Sequence, residues 1–147
     1  EHIYHRPETR FVAEFIGDPP INLIPCQLAC DGGQVVAFTA CHGPVILDLV
    51  ETPPDGRFLL GFRPHDVRLG HAPQKGAVET EVAFAENLGV EHVLHCRYGD
   101  VLIAGTVPPG FAAPGDRLWL GLDSARLIVI HEQSGRVLPR RGTNELA

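Results

Sequence analysis

The chain contains no methionine, almost no lysine, and no apolar run approaching the roughly 20 residues that cross a bilayer. Its N-terminus also lacks the basic-then-apolar pattern of a signal peptide, so any membrane association is expected to come through a partner protein. Starting at Glu1 with no methionine, the 147 residues suit an excised piece better than a whole translation product. The scarcity of lysine and the formal charge of −6 argue against nucleic acid, whose binding rests on lysine and arginine displacing counterions at phosphates. The arginines are dispersed except for Arg136, Arg140 and Arg141, a cluster expected to keep a frayed end solvated. Catalytic signatures are missing too. There is no GxxxxGK[ST] loop to cradle a nucleotide's phosphates, no GxSxG elbow and no HExxH pair, so no enzyme activity is expected of this chain.

What is present is β-rich. With 44% hydrophobic residues, 147 positions suffice for one domain with a core or for two small barrels. One short helix is predicted over residues 7–16: Pro7 suits a first helical position, Phe11, Val12, Phe15 and Ile16 share a face, and Gly17 with Pro19-Pro20 ends it. After Asn22 only short alternating or β-branched segments remain. Strands are predicted over residues 23–29, 34–40, 45–49, 57–62, 77–86, 92–98, 101–107, 117–122 and 127–132. Asp31-Gly32-Gly33, Pro53-Pro54-Asp55-Gly56, Tyr98-Gly99-Asp100, Pro108-Pro109-Gly110 and Pro114-Gly115-Asp116 supply turns between them. An internal echo stands sixty positions apart. Arg57 to Phe62 followed by Arg68-Leu69 compares with Arg117 to Leu122 followed by Leu127-Ile128, which suggests two related small barrels. The expected fold is all-β: two small antiparallel barrels sharing a core, with the short N-terminal helix.

Cys26, Cys30, Cys41 and His42 can be imagined as a zinc set, but structural zinc ligands usually come as two tight pairs on turns. Cys26 and Cys30 fall in one predicted strand, where even spacing puts both on one face. The reading preferred is four cysteines buried as small apolar groups in a reducing compartment, with no metal. His92 and His95, three apart in a predicted strand, should face opposite sides.

The order Phe11-Val12-Ala13-Glu14-Phe15-Ile16-Gly17-Asp18-Pro19-Pro20-Ile21-Asn22, then Leu60-Gly61-Phe62-Arg63-Pro64-His65-Asp66, then Glu86-Asn87-Leu88-Gly89, resembles the C-terminal regulatory region of ATP-binding subunits of ABC importers. The resemblance is strongest to those for carbohydrates and glycerol phosphate, and it spans nearly the whole chain. That region is the transport-associated OB (TOBE) domain, which implies OB-like barrels over residues 21–147 and a linker helix over 1–20 leading from an absent nucleotide-binding domain. Asp31-Gly32-Gly33-Gln34 only imitates the end of the family's signature motif, since a strand follows it where the signature opens a helix.

The resemblance implies a non-catalytic regulatory and dimerisation domain of a subunit that energises import of a solute, a sugar or glycerol phosphate. It implies ATP and magnesium in the parent subunit and no cofactor in this chain. The implied partners are the subunit's own nucleotide-binding domain, a second copy, the permease subunits reached through the parent, and a regulatory protein. The implied place is the cytoplasmic side of the inner membrane. Phe11 and Phe15 would pack on the absent domain; Glu86 and Asn87 would point outward from a loop open to regulatory contacts. Arg63 and His65 mark a sheet corner where the residues alone suggest Arg63 pairing with a carboxylate and His65 facing water. The family pattern has a branched aliphatic residue and a glutamate where Phe62 and His65 stand, so a role for that glutamate's charge does not carry over. The alternative is a domain sensing a small ligand or oxyanion, for which Ser124 and Arg126 are the candidates.

Overall fold

The structure is a computed structural model and describes residues 20–141. The helix predicted over 7–16, with Phe11 and Phe15, lies outside the described residues. Eleven strands follow one another among the described residues: β1 (Asn22–Asp31), β2 (Gln34–Phe38), β3 (Val45–Leu47), β4 (Phe58–Phe62), β5 (Val67–Gly70), β6 (Val78–Asn87), β7 (His92–Tyr98), β8 (Val101–Val107), β9 (Arg117–Leu122), β10 (Ile128–His131) and β11 (Val137–Leu138). The fold is all-β, as expected, in two curled antiparallel sheets. Two strands, β5 and β11, were not among those predicted. They have four and two residues, too few for alternation to show. The described residues divide into two compact units, residues 20–62 with 124–141, and residues 63–123.

The discontinuous unit holds six strands in the order β11-β10-β4-β1-β2-β3. β1 changes neighbours midway: Asn22 to Cys26 pair with β4, and Gln27 to Asp31 pair with β2. Gly32 and Gly33, both at positive φ (60° and 85°), make the two-residue turn that lets β2 fold back. The two outer ends of the sheet then meet. Just beyond β3 and just beyond β11, Leu49 bridges Arg140, Val50 N donates to Pro139 O (3.2 Å) and Arg141 N donates to Asp48 O (2.6 Å). The sheet thereby closes on itself, which removes its open edges.

Arg140 secures this closure. Although expected to be solvated, it is 7% exposed. Its Nε donates to Asp48 Oδ1 at 2.7 Å, and its Nη1 donates to the carbonyls of Ser124 at 2.7 Å and Leu127 at 2.6 Å. One planar cation thus ties the segment after β3 to the turn before β10, using donors that a lysine could not aim together. Only Arg136 and Arg141 of that cluster are exposed, Arg136 pairing with Glu51.

The continuous unit holds β5-β9-β6-β7-β8. Val82, Leu94, Cys96, Ile103, Leu118 and Leu120 alternate inward and are essentially fully buried. Its outer strands curl toward each other: a Cβ on Gly105 of β8 would stand 2.9 Å from Leu69 Cδ1 and 3.2 Å from Val67 Cγ1 of β5. Only glycine admits that approach.

The internal echo is a reciprocal exchange between the units. Each copy is a strand, a 3₁₀ turn and a second strand: β4, Pro64–Asp66 and β5, then β9, Ser124–Arg126 and β10. Each copy begins in one unit and ends in the other. The first strand of each copy pairs with the second strand of the other, with Gly61 opposite Ile128 and Gly121 opposite Arg68.

Burial of all four cysteines holds for two. Cys26 and Cys96 are buried, at 7% and 0% exposure; Cys30 and Cys41 are exposed. Cys30 lies in the half of β1 that has lost β4 as neighbour, and Cys41 lies in the loop between β2 and β3. Burial pushes the Cys26 thiol up to about 12 and that of Cys96 up to about 11, from an ordinary 9.0.

Arg140→Met should lower unfolding stability by about 2 to 3 kcal/mol, the scale of hydrogen bonds made by a charged donor, and Arg141→Ala by less than about 0.5 kcal/mol. Urea titration checks both. Two thiols, Cys30 and Cys41, should react with a maleimide in the native protein and all four after unfolding. Unfolded thiols ionise near 9.0, whereas Cys26 and Cys96 keep their protons to about 12 and about 11. The native state therefore binds more protons in that window. Stability owed to these groups is fully present below pH 9 and falls as pH rises from there, which melts in a pH series would measure.

Candidate functional site

The sequence motifs that the fold gathers lie at one end of the β6–β7 hairpin. Pairing across the hairpin slips between Val82 and Phe84, placing one extra residue, Ala83, on β6. A bulge of this kind re-aims the side chains beyond it. Glu79 and Glu81 before it and Phe84 and Glu86 after it occupy the outer face, while Thr80 and Val82 stay buried. Phe84 is 45% exposed. Its ring stacks on His95, directly opposite on β7, with centroids 4.2 Å apart and planes 11° off parallel. His95 Nε2 in turn lies 2.6 Å from Glu86 Oε1.

At the tip, Asn87 Oδ1 accepts from Gly89 N (2.9 Å) and Leu88 N donates to Glu91 O (3.0 Å). The Asn87 side chain thus holds the turn, and Gly89, at φ 88°, supplies its left-handed residue. Val90 projects from the turn, 91% exposed, with Leu88 beside it in sequence and also exposed. His65, exposed as expected, reaches Glu91 Oε1 at 3.8 Å. His65, Glu86 and Asn87, drawn from two separate motifs, therefore meet around one turn.

Arg63 does not join them at the surface. It is buried, and its carbonyl accepts from Asp66 N (2.9 Å) to close the 3₁₀ turn that Pro64 opens. Its place is in the corner. Ser124 and Arg126 belong to the other unit, where the Ser124 carbonyl receives Arg140. Phe84 was not singled out from sequence, and His95 was weighed only with His92 as a metal pair. The signal that would have found Phe84 is the break in alternation at Val82-Ala83-Phe84, which turns a large aromatic toward solvent.

The ionisable groups of this surface are the imidazoles of His65 and His95 and the carboxylates of Glu86 and Glu91. Cys96, the thiol nearest in sequence to His95, is buried and protonated at neutral pH. Among the described residues no three histidine, cysteine or acidic side chains come together to hold a metal ion. No helix among them is long and apolar enough to cross a membrane. Because Glu86 is 52% exposed, Glu86→Lys should change stability by less than about 1 kcal/mol. A thermal melt checks this, and a larger loss would place Glu86 in the fold and not on a recognition surface.

Residues 60–130 match the family model of the TOBE domain. The chain is also similar to proteins named sn-glycerol-3-phosphate import ATP-binding protein UgpC. That of Burkholderia cenocepacia is 33% identical over 144 residues, covering 91% of this chain and 38% of that protein. That of Pectobacterium atrosepticum is 31% identical over 137 residues, covering 90% and 37%. The protein named UgpC 2 of Agrobacterium fabrum is 29% identical over 153 residues, covering 99% and 38%. The chain spans less than two fifths of the length of these curated relatives. The continuous unit, residues 63–123, lies wholly within the residues that match the TOBE domain.

Proposed function

We propose that this chain is the regulatory domain of the ATP-binding subunit of an ABC importer for sugars or glycerol phosphate, and that it performs no chemistry itself. The observation that carries this reading is the match of nine tenths of the chain to importer ATP-binding subunits. The sequence agrees, because it contains no phosphate-cradling loop. In this reading ATP and magnesium are bound by a nucleotide-binding domain of the parent, joined to the barrels through residues 1–20, with Phe11 and Phe15 packed against it. The parent then works on the cytoplasmic side of the inner membrane, attached through the permease subunits.

Regulation needs a contact that differs between two states of the motor. A second copy or a regulatory protein that bound in only one relative orientation of the subunits would shift their equilibrium by its difference in affinity. The surface around His65, Phe84, Glu86, Asn87 and Val90 is suited to such a contact, with exposed apolar groups beside ionisable ones.

The test uses the purified chain and the parent subunit together. The chain alone should turn over no ATP above buffer. In the assembled transporter, Phe84→Asp should change how ATPase rate responds to transported solute while leaving solute-free ATPase within about twofold, since in this reading nucleotide binds to the parent's other domain. ATP turnover by the isolated chain, or a solute response unchanged by Phe84→Asp together with Glu86→Lys, would contradict the proposal.

A further inference from the structure

The reciprocal echo allows the same backbone to be compared in its two settings. In the discontinuous unit, Leu59, Ile128 and Ile130 pack with Ile21 into an apolar cluster, against which Leu23 and Val137 also rest. Ile128 and Ile21 crowd Gly61 so closely that a Cβ there would lie 2.8 Å from Ile128 Cγ1 and 3.2 Å from Ile21 Cδ1. Sixty positions separate the two copies, so Leu59 corresponds to Trp119, Ile128 to Arg68, Ile130 to Gly70 and Gly61 to Gly121. The pairings agree: Leu59 faces Ile130 as Trp119 faces Gly70, and Gly61 faces Ile128 as Gly121 faces Arg68.

In the second setting the cluster is replaced by a hollow of about 210 Å³, lined by Arg68, Gly70, Gln74, Lys75, Trp119 and Gly121 among others. A Cβ on Gly121 would find Arg68 Nε at 3.7 Å, and one on Gly70 would find Gln74 Nε2 at 3.7 Å, both ordinary van der Waals contacts. Where one unit fills the position with isoleucines, the other leaves it open and rims it with polar donors. No carboxylate lines it, although the chain carries a net charge of −6. Among the described residues neither Arg68 nor Lys75 stands within ion-pair distance of an acid. Arg68 Nη2 donates to Leu122 O at 3.2 Å, which anchors the guanidinium and leaves other donors for a ligand.

We infer that this hollow is a binding site for a small phosphorylated polyol. Arginine and lysine together suit a phosphate dianion, the guanidinium as a fork and the ammonium as a point charge. Gln74 can both donate to and accept from hydroxyl groups. Half-buried Trp119 offers an apolar ring against which the C–H face of a polyol or sugar can lie. The volume is below the roughly 300–1,000 Å³ of sites for drug-sized molecules, which fits a triose or hexose monophosphate. That such binding would regulate a motor rests on the proposed function; the binding itself does not.

Trp119 is the chain's single tryptophan, so its fluorescence reports on the site directly. The full chain is titrated with glycerol 3-phosphate, glucose 6-phosphate, inorganic phosphate, glycerol and glucose. A saturable change is expected with a phosphorylated polyol, at least about tenfold tighter than with inorganic phosphate and absent with the uncharged polyols. Arg68→Gln and Lys75→Gln should each weaken it about tenfold or more without moving the melting temperature. Gly121→Ala, which fits without a clash, should weaken it by narrowing the hollow. No saturation up to about 10 mM, equal affinity for inorganic phosphate, or an undiminished response in Arg68→Gln would overturn the site. Binding seen here with no effect on the ATPase of the assembled transporter would uphold the site and count against the regulatory reading alone.

Discussion

The guanidinium of Arg140 joins pieces of chain that sequence keeps far apart: Asp48 beyond β3, Ser124 and Leu127 around the second 3₁₀ turn, and its own segment beyond β11. A six-stranded sheet whose ends lie so far apart along the chain has no short turn to close it. Closure depends on backbone bonds between residues 48–50 and 139–141, and these are few. A buried cation satisfied by one carboxylate and two carbonyls fixes that seam in a single arrangement, because any slip would leave the charge short of partners. With the seam closed, β4 and β10 lie hydrogen-bonded side by side. That pair brackets residues 63–123 in sequence.

Two copies of a strand, a 3₁₀ turn and a strand exchange partners, yet their outer faces differ in chemistry. One is closed by Leu59, Ile128 and Ile130; the other is open between Trp119, Arg68 and Gly70. Large apolar groups at those positions stabilise by burial, whereas glycine and arginine there contribute little to packing. The same unit also exposes Phe84 on His95 through a bulge. Two features that do not help the unit fold are therefore concentrated in the part that the TOBE model matches.

Much of this was legible in the residues, for physical reasons. β7, β8 and β9 have the limits predicted, since each is six or seven residues long and its buried positions mostly alternate between turns of glycine, proline and aspartate. The echo was visible because it repeats residue types at one offset, although its exchange of partners was not, since pairing is settled by tertiary contacts. β5 and β11 were too short to show a period. Arg140 was misread because a basic residue near a chain end is ordinarily solvated, and nothing local reveals a carboxylate 92 positions away. Cys30 was misread because β1 abandons β4 midway, a change of neighbour that alternation alone does not encode. Of the residues singled out for function, His65, Glu86 and Asn87 converge on one turn while Arg63 is absorbed into the corner. Sequence spacing identified surface loops without showing which of their side chains the backbone would claim.

The seam can be tested most directly by native-state amide hydrogen exchange at Val50 and Arg141, whose N–H groups donate to Pro139 and Asp48 across it. If the barrel is closed as described, both amides should be protected to nearly the same free energy as those of β4 and β10 and should exchange only with the unit's global opening. Exchange at these two positions close to the rate of unstructured peptide, with β4 and β10 still protected, would mean that the sheet is open and that Arg140 does not hold it shut.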